Sequence, residues 1–187
     1  MMNFSVIDET SSLISVIIGI ANNLGPIPEL KDLYDPKSIE NLKSGNYPLE
    51  SNMIIELEKF SEVLKKHGVL VHRPKNIDNC NQIFARDVGF VIDNYFFKSN
   101  ILPKRDKEFD GIKSIVNSFS GEIINIPEKV HVEGGDVLSL KNNIFLGYYN
   151  KEDYSDLFTA RTNKEAIIYF EKFFPSKNVK GFHIKKS

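Results

Sequence analysis

The sequence predicts an α/β fold assembled from one repeated hairpin–helix–strand unit, and three observations carry that prediction. Three segments have apolar residues at helical spacing, and each is followed by a short run rich in β-branched residues. The strands after these helices end near residues 72, 126 and 184, at intervals of 54 and 58. Paired apolar runs split by a polar turn, Asp93-Asn94 in one unit and Lys141-Asn142-Asn143 in the next, have the pattern of a β-hairpin. Repeats of this length suggest a propeller-like or stacked α/β arrangement. The copies share pattern rather than residue identity, and the strand pair of the first copy is poorly defined.

Taken in order, Leu13 to Ile20 reads as a buried strand, because its β-branched residues form a short run that ends at Gly19 and Asn22-Asn23. Pro26, Pro28, Pro36, Gly45 and Pro48 then predict a long loop, of the kind that often binds ligands. From Pro48 to His67 the spacing is helical, with Met53, Leu57, Phe60 and Leu64 on the expected buried face. Lys65, Lys66 and His67 complement the negative end of that helix, and Gly68 can supply its left-handed cap. Val69 to His72 is a strand. Asp87 to Lys98 is a hairpin, and Asp106 to Phe119 a helix burying Phe109, Ile112, Val116 and Phe119. Glu122 to Ile126 is a strand, and Val137 to Leu140 with Ile144 to Gly147 a second hairpin. A third helix starts at Thr162, where Thr162 and Glu165 have capping-box spacing, and it buries Ile167, Phe170 and Phe174. Val179 to Ile184 is the last strand.

The 187 residues suit a single domain with a real core, and 41% hydrophobic with 26% charged residues is ordinary for a soluble protein. A net charge of -1 provides no overall attraction to nucleic acid or to an anionic membrane, so neither is an expected partner. One cysteine, Cys80, cannot form an internal disulfide, which fits a reducing cytoplasm. The N-terminus has no basic region followed by a long apolar run, so no signal peptide is expected, and Val16 to Ala21 is too short to span a bilayer. No histidine or cysteine cluster has metal-ligand spacing, and no metal is expected.

One stretch stands out for its chemistry, His131-Val132-Glu133-Gly134-Gly135-Asp136. Adjacent glycines let the backbone turn sharply and lie close to a ligand. A carboxylate fixed beside such a turn can accept hydrogen bonds, or serve as a general base if its pKa is raised. Such acidity would repel a phosphate.

Three segments in this order, Phe84-Ala85-Arg86-Asp87, Glu133-Gly134-Gly135-Asp136 and Ala160-Arg161-Thr162-Asn163, resemble the guanidine-modifying superfamily. That superfamily comprises the arginine deiminases, dimethylarginine dimethylaminohydrolases and amidinotransferases. The stretch from Pro48 to Pro74 is similar to its amidinotransferase side, and the resemblance covers nearly the whole chain. It implies a five-bladed α/β propeller, the pentein fold, of which residues 1–187 would form about three ββαβ modules as a single N-terminal portion. It also implies an arginine-like guanidino substrate and chemistry without a cofactor. On the matching positions, Asp87 would grip the guanidinium through a bidentate charge-assisted pair, and Phe84 would pack against it. Glu133 would bind the guanidinium's other side as the catalytic acid, Arg161 would hold a substrate carboxylate, and Arg105 would be a second such clamp.

Each of these residues also has a plainer reading. Asp87 could be a hairpin-edge acid paired with Arg86 or Arg105, Phe84 a core residue, Arg161 a solvated arginine before a helix, and Arg105 part of a charged helix start. The resemblance further implies a C-terminal cysteine nucleophile and a His-x-Asp acid/base, and neither motif occurs here. His183 is followed by Lys185 where the aspartate would stand, His67, His72 and His131 match no motif, and Cys80 precedes the first acid motif with nothing basic beside it. The expectation is therefore a truncated chain of a deiminase or amidinotransferase. The alternatives are a non-catalytic binder of guanidino compounds or of a partner protein, and one half of a split enzyme. Apolar faces left by absent modules would favour association with a second copy or with a complementing C-terminal chain.

Overall fold

The computed structural model describes residues 3–33, 35–149 and 161–184. It is a mixed α/β structure with three small sheets. In chain order the elements are β1 (Ser15–Ile17), α1 (Pro36–Lys43), α2 (Glu50–Lys66), β2 (Leu70–His72), α3 (Ala85–Val88), β3 (Gly89–Ile92), β4 (Tyr95–Lys98), α4 (Glu108–Val116), β5 (Glu122–Asn125), β6 (Val137–Leu140), β7 (Asn143–Tyr148), α5 (Lys164–Phe173) and β8 (Asn178–His183).

The expected repeat is present in the pairing. β3 runs antiparallel to β4, which is joined through α4 to the parallel strand β5. β6, β7, α5 and β8 repeat that arrangement. In the first unit β1 pairs in parallel with β2, and no antiparallel strand lies beside β1 among the described residues. Both hairpin turns carry a non-glycine residue with positive φ, Asp93 at 52° and Lys141 at 52°, as tight hairpin turns require.

Several expectations change. The strand read at Leu13 to Ile20 shortens to three residues, because only Ser15–Ile17 is in register with β2. Beyond them, Ile18 donates to the His72 carbonyl and Ile20 to that of Gln82. The long loop contains α1, whose start is built by Asp35, a side-chain cap for the Ser38 N–H at 2.7 Å, and by Pro36 in the first turn. Phe60 is 54% exposed instead of buried. The packed side of α2 is centred on Ser61, whose small side chain lets the helix lie close to the rest of the unit.

β4 divides the interior in two. Its alternating side chains send Phe97 into one core, with Phe90, Ile144, Leu146 and Phe170, and Phe96 into the other, with Phe4, Val88, Ile112 and Val116. Phe97 stacks on Phe90 at 5.4 Å between ring centroids and meets Phe170 edge-on at 5.2 Å. Residues 6–9 stitch the second and third units together. Val6 and Asp93 exchange backbone hydrogen bonds of 2.9 and 2.8 Å, and Lys141 donates to the Ile7 carbonyl at 2.8 Å. Among the described residues no helix is long and apolar enough to cross a membrane.

Candidate functional site

Both complete units place one short helical turn directly before their first strand, and those turns carry the acidic motifs. Phe84-Ala85-Arg86-Asp87 was expected to open a hairpin, but Ala85–Val88 is a single helical turn that hands over to β3 at Gly89. Gly134–Asp136 is a 3-10 turn that hands over to β6 at Val137. Buried valines anchor these turns: Val88 follows Asp87, and Val132 and Val137 bracket the Glu133 to Asp136 turn. The carboxylates are thus fixed to the core by their immediate neighbours.

The two turns touch. Arg86 donates from Nε to the Gly134 carbonyl at 2.9 Å and from Nη2 to the Val137 carbonyl at 2.7 Å, and it pairs with Glu9 at 2.8 Å. Gly134 lies so close to its neighbour that a Cβ there would collide with the Arg86 carbonyl oxygen and crowd Phe90. Gly134→Ala should therefore destabilise the chain by roughly 1–3 kcal/mol. A urea midpoint unchanged from wild type would show that the two turns can separate without cost.

The arginines come from the chain beyond the central strands β4 and β7. Pro103 to Arg105 forms a 3-10 turn leading towards α4, and it turns Arg105 inwards until only 6% of it remains exposed. Among the described residues its guanidinium meets three carboxylates. Nε and Nη2 donate to the two oxygens of Glu108 at 2.7 and 2.8 Å, while Nη1 donates to Asp87 at 3.1 Å and to Glu133 at 3.3 Å. Arg161 donates from Nε to the other oxygen of Glu133 at 2.6 Å. Glu133 is 2% exposed and bridges the two arginines.

Thr162 departs from its expected role. It does not cap the third helix. α5 begins at Lys164 with Asn163 at its N-cap, and that cap makes no side-chain bond to the helix. Asn163 instead accepts from the His131 N–H and donates to the Lys129 carbonyl, and the Thr162 hydroxyl donates to Asp136 at 2.6 Å while accepting from the Glu133 N–H at 3.3 Å. The site took these two groups from the helix start.

Burial sets the charge state of the acids. It pushes the Glu133 carboxyl up to about 7, against the lowering by Arg161 and Arg105. It raises Asp136 to about 6, against the hydrogen bond from Thr162, and it raises Glu108 against its bonds from Arg105. Cys80 is buried, and burial together with the nearby Glu108 charge pushes its thiol up, the opposite of an activated nucleophile.

Four of the five sequence-derived site residues, Asp87, Arg105, Glu133 and Arg161, therefore converge in one ionic cluster. Phe84 stands at the N-cap position of α3 and is 54% exposed, outside the cores. Asp87 is paired with Arg105, and Arg86 joins backbone carbonyls instead. Glu108, Asp136 and Thr162 join the cluster, residues to which the sequence gave no role in the site. A signal existed for Glu108, which lies three residues after Arg105, the spacing of facing groups on a helical turn. Ala160 and Lys185 lie outside the described residues.

No family model matches the chain, and no curated protein is similar to it by sequence. Solved structures match its fold. SxtG, an amidinotransferase of the saxitoxin biosynthetic pathway from Microseira wollei, superposes with a TM-score of 0.69 over 96% of this chain at 17% identity. The substrate-bound N-terminal domain of ArgZ, an arginine dihydrolase of the ornithine-ammonia cycle in Cyanobacteria, gives 0.68 over 92% at 16% identity. DDAH from Pseudomonas aeruginosa, complexed with citrulline, gives 0.64 over 94% at 14% identity. The chain spans about three fifths of the length of these structures, covering 62%, 59% and 62% of them. Its fold is the one shared by an amidinotransferase, an arginine dihydrolase and DDAH.

Proposed function

We propose that this chain is the guanidine-recognising portion of a pentein-type enzyme that transfers or hydrolyses the amidino group of an arginine-like substrate. The observation that carries the reading is the cluster itself: a guanidinium, that of Arg105, already lies against Asp87 and Glu133. Planar, charged and rich in donors, a guanidinium is the cation such paired acids suit. The similar solved structures support the substrate class, since ArgZ was captured with its substrate and DDAH with citrulline.

In this reading Asp87 and Glu133 receive the ligand's guanidinium, and the exposed Phe84 ring packs on its face. Arg161 takes the ligand's carboxylate. Residues 1–187 form one domain of about three ββαβ modules in a five-bladed propeller. No cofactor is needed, because the chemistry of such a site is attack by a thiolate on the guanidinium carbon. Cys80, buried and with its thiol pushed up, is unsuited to that role, so the nucleophile comes from residues other than these, on the same polypeptide or on a partner chain. The same observation favours a second reading, a protein that binds guanidino compounds without transforming them.

Calorimetry with arginine tests recognition. Asp87→Asn should raise the dissociation constant by about tenfold or more, the usual cost of losing a hydrogen bond to a charged group. Equal affinity in the two proteins would remove Asp87 from the site. Release of citrulline or ornithine from arginine by these 187 residues alone would overturn the need for an outside nucleophile.

A further inference from the structure

The four bonds that Arg105 makes to carboxylates among the described residues are unequal. The two to Glu108 are 2.7 and 2.8 Å and form a matched fork, whereas those to Asp87 and Glu133 are 3.1 and 3.3 Å and both come from the single nitrogen Nη1. Glu108 is 5% exposed, sits in the first turn of α4 and directs both of its oxygens at Arg105. Among the described carboxylates, the partner that sets the position of the Arg105 guanidinium is therefore Glu108. The contacts to Asp87 and Glu133 are the looser ones.

We propose that Glu108 is a positioning residue that holds the Arg105 guanidinium back from Asp87 and Glu133, so that these acids can accept the guanidinium of a ligand. The proposal rests on the guanidino-ligand reading of the same site. An arginine buried among acids with no dedicated counter-ion would share its charge between the two remaining carboxylates and shorten both contacts. A ligand guanidinium would then compete with an internal one already attached to its acceptors. With Glu108 taking the Nε–Nη2 edge, the competitor reaches the ligand's acceptors through one nitrogen only. Arg105 is in that case a fixed internal cation and not an arm that reaches for a ligand carboxylate.

The test compares arginine with agmatine, which has the guanidinium but lacks the carboxylate, by calorimetry on wild type, Glu108→Gln and Glu108→Asp. Glu108→Gln should weaken both ligands to the same degree, by about tenfold, since the competition concerns the guanidinium they share. Glu108→Asp, which keeps the charge, should recover part of that loss. Adding Arg105→Met to Glu108→Gln should abolish the effect of the glutamine, because the residue acts through Arg105. A purely structural role would lower the melting temperature without this dependence. Loss of arginine binding with agmatine unaffected would overturn the proposal, because Arg105 would then be serving the ligand carboxylate. Unchanged affinity for both would overturn it as well. Wild type binding neither ligand would instead remove the guanidino reading itself. Should Glu108→Gln fail to fold, the Arg105 Nε–H resonance of wild type decides: slow hydrogen exchange is expected for a proton held by Glu108, and exchange at the rate of a solvated arginine overturns the proposal.

Discussion

Arg105→Met should cost about 3–5 kcal/mol of stability at pH 8, the amount typical of breaking a buried ion pair by removing one partner. Methionine fills much of the arginine's volume, so the loss reports charge and not a cavity. Glu108 would remain buried without the cation that faces it, Glu133 would keep only Arg161 of its two arginines, and Asp87 would lose its pairing with Arg105. The loss should shrink on acidification. Burial already raises Glu108 and Glu133 above the ordinary carboxyl value, so protons replace the missing cation first at those two groups. Urea unfolding of wild type and variant at pH 5 and pH 8 measures both quantities. A difference below about 1 kcal/mol at pH 8 would mean that the acids find other partners or water.

The same burial gives the wild-type chain an unusual dependence on pH. Most carboxylates in folded proteins are held below their ordinary values and lose their contribution in acid. Glu133 and Asp136 are raised instead, from 4.5 to about 7 and from 3.8 to about 6. Between the ordinary and the raised value the folded state binds more protons than the unfolded one, so stability falls as pH rises. Their contribution is fully present below about pH 4 and is lost as pH passes through about 6 and then about 7, and together it is on the order of 6 kcal/mol. Asp8, held down to about 2 by bonds from Ser11 and Thr10, acts in the opposite direction but below this window. Urea midpoints from pH 4.5 to 8 should therefore decline, and Glu133→Gln should flatten the upper part of the curve. A midpoint that rises from pH 5 to pH 8 would show that the two arginines outweigh burial at Glu133.

Much of the fold was legible because it is written in local pattern. The helices at α2, α4 and α5 follow from apolar spacing, and the hairpins from Asp93-Asn94 and Lys141-Asn142-Asn143, whose polar residues accept the positive φ of the turns. Helix α1 was hidden by its prolines, although Asp35-Pro36 is a cap followed by a first-turn proline, which starts helices as readily as proline elsewhere stops them. Phe60 was misplaced because periodicity identifies an apolar stripe without saying which edge of it meets the core. The stitching by residues 6–9 consists of single backbone bridges, which leave no periodic trace in a sequence.

The candidate site divides in the same way. That Asp87, Arg105, Glu133 and Arg161 belong to one site was legible only through the resemblance that the order of their motifs carries, which assigned the acids to a ligand's guanidinium and the arginines to its carboxylate. The sequence by itself determined the repeated unit, the acid-bearing turns and the kinds of groups available. Only the tertiary structure decided which groups pair. It placed the Arg105 guanidinium against the acids expected to hold a ligand, recruited Glu108 from what had looked like a charged helix start, and diverted Thr162 from its cap to Asp136. The physical reason is desolvation. In water each of these ions would be satisfied alone, but buried beneath the two turns they must find partners within about 3 Å, and which partner is nearest depends on how the units pack together.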